Sequence, residues 1–214
     1  MLHVRGGIIT NVAGWASSGG SLLDGSESDG TQLLGAGPAA ITSGWSTLNA
    51  TLTANAASDP GGGSTAATLR ETVGGTVRHG IYHQPTITGG GTYTYSVYAL
   101  SVTRRYLQIL VTTSGGTAAT ICAYFDLTGA AVTDSRIVKN SGTTTIGTPT
   151  IQAAVGGFYK CSIPGVLLNG TNTNPYFQIM CSDVATYGAP LEADSPGFVG
   201  NASNGLNIWR PKVA

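Results

Sequence analysis

Along most of the chain, apolar and polar positions alternate in runs too short for helices. In Arg105-Tyr-Leu-Gln-Ile-Leu-Val, residues Leu107, Ile109 and Val111 fall on one face of an extended chain, with Tyr106, Gln108 and Leu110 on the other. In Thr120-Ile-Cys-Ala-Tyr-Phe-Asp-Leu, the positions Ile121, Ala123, Phe125 and Leu127 share a face. Both runs read as core-facing rows of a half-buried sheet. The pattern places strands over 47–54, 66–73, 77–83, 92–102, 106–113, 119–127, 131–138, 149–154, 158–164, 176–182 and 206–213. Gly-rich turn markers separate them, among them Asp59-Pro-Gly-Gly-Gly, Gly89-Gly-Gly, Thr128-Gly and Asn140-Ser-Gly. No amphipathic helix of ordinary length is evident. The expected fold is all-β: an antiparallel two-sheet β-sandwich with crossing connections, a jelly roll, over residues 41–214.

Residues 1–40 have another texture. Ala16-Ser-Ser-Gly-Gly-Ser and Asp24-Gly-Ser-Glu-Ser-Asp-Gly-Thr are linker-like. The large apolar residues among them, Ile8, Ile9, Val12, Trp15, Leu22, Leu23, Leu33 and Leu34, are too few to build a core. Ordering such a segment costs roughly 1 kcal/mol or more per residue, so it needs an extensive surface to lie on. The expectation is an extended anchoring arm whose interface residues are Ile8, Ile9, Val12, Trp15, Leu22 and Leu23. That surface belongs either to neighbouring subunits or to the arm's own domain.

Composition narrows the class of work. Only 9% of the 214 residues are charged, ten basic and ten acidic, so the formal net charge is zero. The polar surface is built from Thr, Ser, Asn and Gly, which suits a chain covered by partners. There is no basic patch for nucleic acid, no run long enough to span a membrane, and no stretch resembling a signal peptide, so synthesis in a cytoplasm is expected. Cys122, Cys161 and Cys181 each sit in an apolar strand-like run and read as buried free thiols, with a disulfide between two of them as the alternative.

The order of certain segments resembles a known family. Trp45-Ser-Thr-Leu-Asn, Ala66-Ala-Thr-Leu-Arg-Glu-Thr-Val, Gly91-Thr-Tyr-Thr-Tyr-Ser-Val-Tyr-Ala, Ala123-Tyr-Phe-Asp-Leu-Thr-Gly, Gly157-Phe-Tyr-Lys-Cys and Asn204-Gly-Leu-Asn-Ile-Trp are similar to the jelly-roll domains of tailed-phage structural proteins. Those domains are similar in fold to carbohydrate-binding modules. Gly157-Phe-Tyr-Lys stands where the family has Gly-Trp-Tyr-Arg, and Arg210-Pro-Lys departs from the family's usual Gly-Ala-Gln tail. The resemblance implies a non-enzymatic virion component (capsid decoration, fibre base or tail-associated protein) anchored by its arm. Its partners would be other virion proteins and further copies of itself, with a trimer as first expectation. The alternative is a carbohydrate-binding module or host-receptor adhesin that takes a surface glycan.

Candidate chemistry is sparse. Glu192 and Asp194 alternate, but inside the proline-bounded Ala189-Pro-Leu-Glu-Ala-Asp-Ser-Pro, which suits a capping loop or a structural calcium better than a glycosidase pair. His79 and His83 stand four apart in a strand, about 13 Å, too far to share a metal ion. No nucleophile elbow or phosphate loop occurs, so neither catalytic residues, nor a metal centre, nor a cofactor other than that calcium is expected. Aromatic residues remain. Tyr82, Tyr93 and Tyr95 are candidate glycan-stacking or interface residues, Trp45 and Trp209 read as core or edge seals, and Tyr98 lies on the face opposite Tyr93 and Tyr95.

Overall fold

The computed structural model describes residues 33–34, 41, 44–113, 119–139, 144–168, 172–186 and 197–214. Among them the chain forms β1 (Ser46–Leu48), β2 (Ala50–Ala57), β3 (Ala66–Glu71), β4 (Thr76–Val77), β5 (His79–His83), β6 (Thr92–Ser101) and β7 (Tyr106–Thr112). There follow β8 (Thr120–Asp126), β9 (Ala131–Lys139), β10 (Thr150–Ala153), β11 (Tyr159–Leu167), β12 (Tyr176–Ser182), β13 (Phe198–Val199) and β14 (Gly205–Val213). The only helical element described is one 3₁₀ turn at Val155–Gly157. One sheet runs β1-β5-β12-β7-β8-β9 and the other β10-β11-β6-β14-β3-β2, with antiparallel pairing throughout. The connections β5–β6, β6–β7, β9–β10 and β11–β12 cross from one sheet to the other, giving the expected jelly-roll sandwich.

The run 77–83 divides at Arg78 into β4, which pairs only with β13, and β5, which belongs to the first sheet. Two further boundaries differ from the sequence pattern, each for a local backbone reason. The run 47–54 looks like one strand, yet Asn49 adopts φ +46° and the chain changes sheets there, so β1 and β2 belong to opposite layers. Asn tolerates this left-handed conformation better than most residues, and its Nδ2 donates to the Arg78 carbonyl, fixing the corner. Pro164 reads as a strand end, but a bulge between Ile163 and Val166, with Gly165 at φ +64°, lets β11 continue to Leu167. The two-residue β13, paired with β4, has no periodic signal and escapes any pattern reading.

The interior is filled by alternate residues of both sheets. Ile81, Leu107, Ile109, Val111, Ile121, Ala123, Phe125, Phe177 and Ile179 from the first meet Leu69, Tyr95, Val97, Ala99, Cys161, Ile163, Leu206 and Ile208 from the second. Each large side chain fully buried in this way contributes about 1.5–3 kcal/mol relative to exposure. Phe177 lies at the junction, its ring edge-on to Tyr95 at 5.4 Å and to Trp45 at 5.7 Å. Leu34 and Ile41 are also buried in this core, and the Leu33 amide donates to the Val213 carbonyl at 3.1 Å. The end of the segment expected to be an arm therefore packs on its own sandwich. Residues 1–32, with Ile8, Ile9, Val12, Trp15, Leu22 and Leu23, lie outside the described residues.

Buried carboxylates tie the strand ends. Glu71 takes both Nε and Nη2 of Arg104 and the Asn201 amide. Asp126 accepts Arg105 through two nitrogens, the Thr128 amide and hydroxyl, and the Gly129 amide, closing the β8–β9 hairpin. The Arg105 bonds, followed by those from Thr128 and Gly129, hold the Asp126 carboxyl well below the usual carboxylate range. A group whose folded pKa is depressed stabilises the fold above its unfolded value, about 3.9, and loses that contribution as pH falls. Asp126→Asn is expected to lower Tm by several degrees at pH 7, with the deficit relative to wild type shrinking progressively below about pH 4. Melting curves across that range check this, and a deficit constant with pH would contradict it.

Candidate ligand-binding face

Because strand side chains alternate, every residue buried between the sheets forces its neighbour outward. On the first sheet, Ile81, Phe177, Ile179, Ile109, Val111, Ile121 and Ala123 point in. Tyr82, Tyr176, Gln178, Met180, Gln108, Leu110, Thr112, Cys122 and Tyr124 therefore share the outer face. The registers align them in rows. One row reads Ser46, Tyr82, Gln178, Leu110, Cys122, Arg136, and the next Gly80, Met180, Gln108, Tyr124, Asp134. Gly80 is required in its row: a Cβ there would stand 2.4 Å from the Ile179 carbonyl oxygen and 2.2 Å from Met180 Sδ.

This face departs from the half-buried sheet that the alternation predicts. Its middle is buried too, with Leu110, Cys122 and Tyr124 in an apolar cluster and Gln108 only 1% exposed. The polar groups there are paired, as burial demands. Gln108 Nε2 donates to the Tyr124 hydroxyl at 2.9 Å, and Arg136 forms a two-bond ion pair with Asp134. Toward β1 and β5 the face opens. Ser46 is exposed, and Tyr82 and Tyr176 are half-buried, with ring centroids 5.6 Å apart and planes at 62°. Beside them, and themselves largely buried at 7% and 9% exposed, Gln178 and Thr112 are joined by a bond from Gln178 Nε2 to Thr112 Oγ1 at 3.0 Å. The end of the face thus combines an angled pair of phenol rings with an amide–hydroxyl pair, all uncharged. Two rings at this angle make a corner: a flat apolar face of a ligand lies on one ring and its edge meets the other. The amide retains a carbonyl lone pair and a further N–H proton beyond its bond to Thr112.

Of the three tyrosines singled out from the sequence, only Tyr82 lies on this face. Tyr95 is a correction. It shares the inward face of β6 and is fully buried against Phe177, so no glycan reaches it, and burial pushes its phenol pKa up. Tyr93 lies on that same inward side at the core's margin, where its hydroxyl accepts from the Thr88 amide and donates to the Thr88 carbonyl, closing a turn. Tyr98 is on the opposite face, as the alternation requires, packed against Trp209 with ring centroids 5.3 Å apart; Trp209 Nε1 donates to Thr65 Oγ1. Trp45 seals the core edge beside His83 and Phe177. Tyr176, Gln178 and Thr112 were not singled out. Their signal was a glutamine in the middle of each of two apolar strands, Gln108 and Gln178, where solvent-facing Thr or Lys is more usual.

The remaining chemistry-bearing residues have structural partners. His79 has Nδ1 at 2.6 Å from the Asn49 carbonyl and Nε2 at 3.2 Å from that of Phe198, while His83 Nδ1 meets the Gly44 carbonyl. Asp59 accepts the Gly63 and Thr65 amides and the Thr65 hydroxyl. Among the described residues no three His, Cys, Asp or Glu side chains are grouped for a metal ion. The loop with Glu192 and Asp194, where a calcium was expected, lies outside them. Among the described residues no helix is long and apolar enough to cross a membrane.

No protein-family model and no curated protein matches the chain. A search of solved structures gives a similarity to the Clostridium thermocellum endo-1,4-β-D-xylanase 10B, in a crystal structure of its CBM22-1–GH10 modules complexed with xylohexaose. The identity is 14% and the TM-score 0.43, covering 82% of this chain and 27% of that one. This chain thus spans about a quarter of the solved chain it matches.

The three cysteines are free and buried, as expected. Burial pushes the Cys161 and Cys181 thiols up, and burial with the nearby Asp134 charge pushes Cys122 up to about 12. A thiol reagent at pH 8 is therefore expected to modify none of the three in the folded protein and all of them in denaturant. Rapid labelling of the native chain would contradict this placement.

Proposed function

We propose that the chain is a non-catalytic binding module whose ligand is a neutral glycan, bound at the β5–β12 end of the first sheet's outer face. The observation that carries this reading is the Tyr82–Tyr176 corner set beside the Gln178–Thr112 pair. A pyranose ring has an apolar face of C–H groups and an equatorial rim of hydroxyls. The corner supplies aromatic surface for the former, and the largely buried amide and hydroxyl beside it offer a small polar surface for the latter. The absence of charge among these four side chains favours an uncharged sugar over an acidic one. Four of the five described carboxylates, Asp59, Glu71, Asp126 and Asp134, are engaged in hydrogen bonds or ion pairs of their own, and the fifth, Asp183, is exposed just past the end of β12, which supports binding rather than hydrolysis.

Screening the full chain on an array of neutral glycans, followed by titration calorimetry on any ligand found, tests this. Tyr82→Ala and Tyr176→Ala are each expected to weaken binding at least about tenfold, equivalent to about 1.4 kcal/mol. Lys160→Ala, on the other sheet, should leave the affinity unchanged. A chain that binds no glycan, or whose binding ignores both tyrosines, refutes the proposal.

A second reading, a structural component of a phage virion anchored by residues 1–40, draws support from the 9% charge content and from the Gly/Ser-rich segment that leads into Leu33. Because Leu34 is part of the core, the informative deletion stops at residue 32. Removing 1–32 is expected to leave Tm within a few degrees of the full chain while abolishing incorporation into an assembly. A large fall in Tm with incorporation retained would count against it.

A further inference from the structure

Among the described residues the sandwich has four edge strands, and three of them are protected against pairing with another chain. β9 carries Asp134 and Arg136, while β1 has three residues and β10 four. Short length and charge are the usual devices that keep sheet edges apart. β2 differs. It has eight residues, Ala50-Thr-Leu-Thr-Ala-Asn-Ala-Ala57, with neither charge nor proline, and Thr51 and Thr53 are exposed. Its pairing with β3 is regular from Ala50 to Thr53 and shifts only beyond, near Asn55 at φ +53°.

The hydrogen-bond parity of this edge is defined. The Thr72 amide donates to the Asn49 carbonyl, and the register continues through Thr51↔Arg70 and Thr53↔Thr68. In an antiparallel ladder the bonding pairs alternate, so Asn49, Thr51 and Thr53 direct their backbone groups at β3. Ala50, Leu52 and Ala54 direct theirs outward.

We propose that β2 pairs antiparallel with β2 of a second copy of this chain, about a two-fold axis through Leu52. In this register Leu52 bonds reciprocally with Leu52 of the second copy, and Ala50 bonds with Ala54. Thr51 and Thr53 then face each other as close non-bonded pairs, where Thr–Thr contacts are favourable. A self-paired strand sets its own charges against one another, so an edge without charges fits its own copy better than an arbitrary partner. Centring the axis on Thr53 instead would draw the left-handed Asn55 into the ladder, which its backbone does not fit. The second sheets of the two copies would join into one continuous sheet, with the Leu52 side chains extending the core row across the axis. This dimer is independent of the glycan site.

Sedimentation equilibrium on the full chain, from about 1 to 100 µM, reads the association directly. The expected result is a reversible dimer for the wild type. Thr51→Lys with Thr53→Lys sets cations opposite each other across the axis and should weaken the dimer at least about tenfold. Thr51→Glu with Thr53→Lys sets opposite charges in the same two places and should restore the affinity to within about threefold of wild type. Melting curves establish that both exposed-site variants are folded. A wild type that stays monomeric throughout, a double-lysine variant that dimerises undiminished, or a Glu/Lys variant as weak as the double lysine would each overturn the proposal.

Discussion

The contact of Phe177 with Tyr95 across the interior governs more of this molecule than any other. It joins the middle strand regions of both sheets, β12 and β6, and Trp45 closes over it from the edge. Strand periodicity then leaves no freedom in the neighbours. With Phe177 and Ile179 inside, Tyr176 and Gln178 must stand outside; with Val111 inside, Thr112 must; with Ile81 inside, Tyr82 must. The proposed glycan corner is thus a by-product of core packing. A slip of one residue in β12 would turn the amide into the core and the phenylalanine out of it together. Site and core are specified by the same choice, which holds the aromatic corner without a dedicated scaffold of its own.

Nearly all of the strand framework was legible in the sequence because β-branched and aromatic runs are separated by glycine clusters, and both signals are local. What escaped the pattern were features set by one backbone angle or by a distant partner. The change of sheet at Asn49 depends on a left-handed residue and the Arg78 carbonyl it holds. The continuation of β11 past Pro164 depends on a bulge. Among the tyrosines, alternation correctly grouped Tyr93 with Tyr95 and separated Tyr98, but period alone does not say which face is the inner one. Tyr95 was a surface candidate until the second sheet was in place. Tyr82 and Tyr176 are 94 residues apart in sequence and meet only because β5 and β12 are adjacent, a pairing no local pattern encodes.

The small number of charges has a structural counterpart. Glu71 holds the Arg104 loop and the Asn201 turn, Asp126 holds the β8–β9 hairpin, and Asp59 holds the turn before β3. Each does so from a nearly buried position with several donors, where a charge-assisted bond is stronger than its neutral counterpart. The ionised groups act as fasteners at strand ends, and the broad surfaces are left to threonine, serine and asparagine, side chains that do not repel copies of themselves.

The bond between the Leu33 amide and the Val213 carbonyl brings together two points 180 residues apart along the chain. The path into the sandwich and the path out of it therefore meet at one spot. Peeling β14 away, starting at Val213, would also have to release Leu33, so the last strand of the sandwich is clamped by a segment that precedes its first strand.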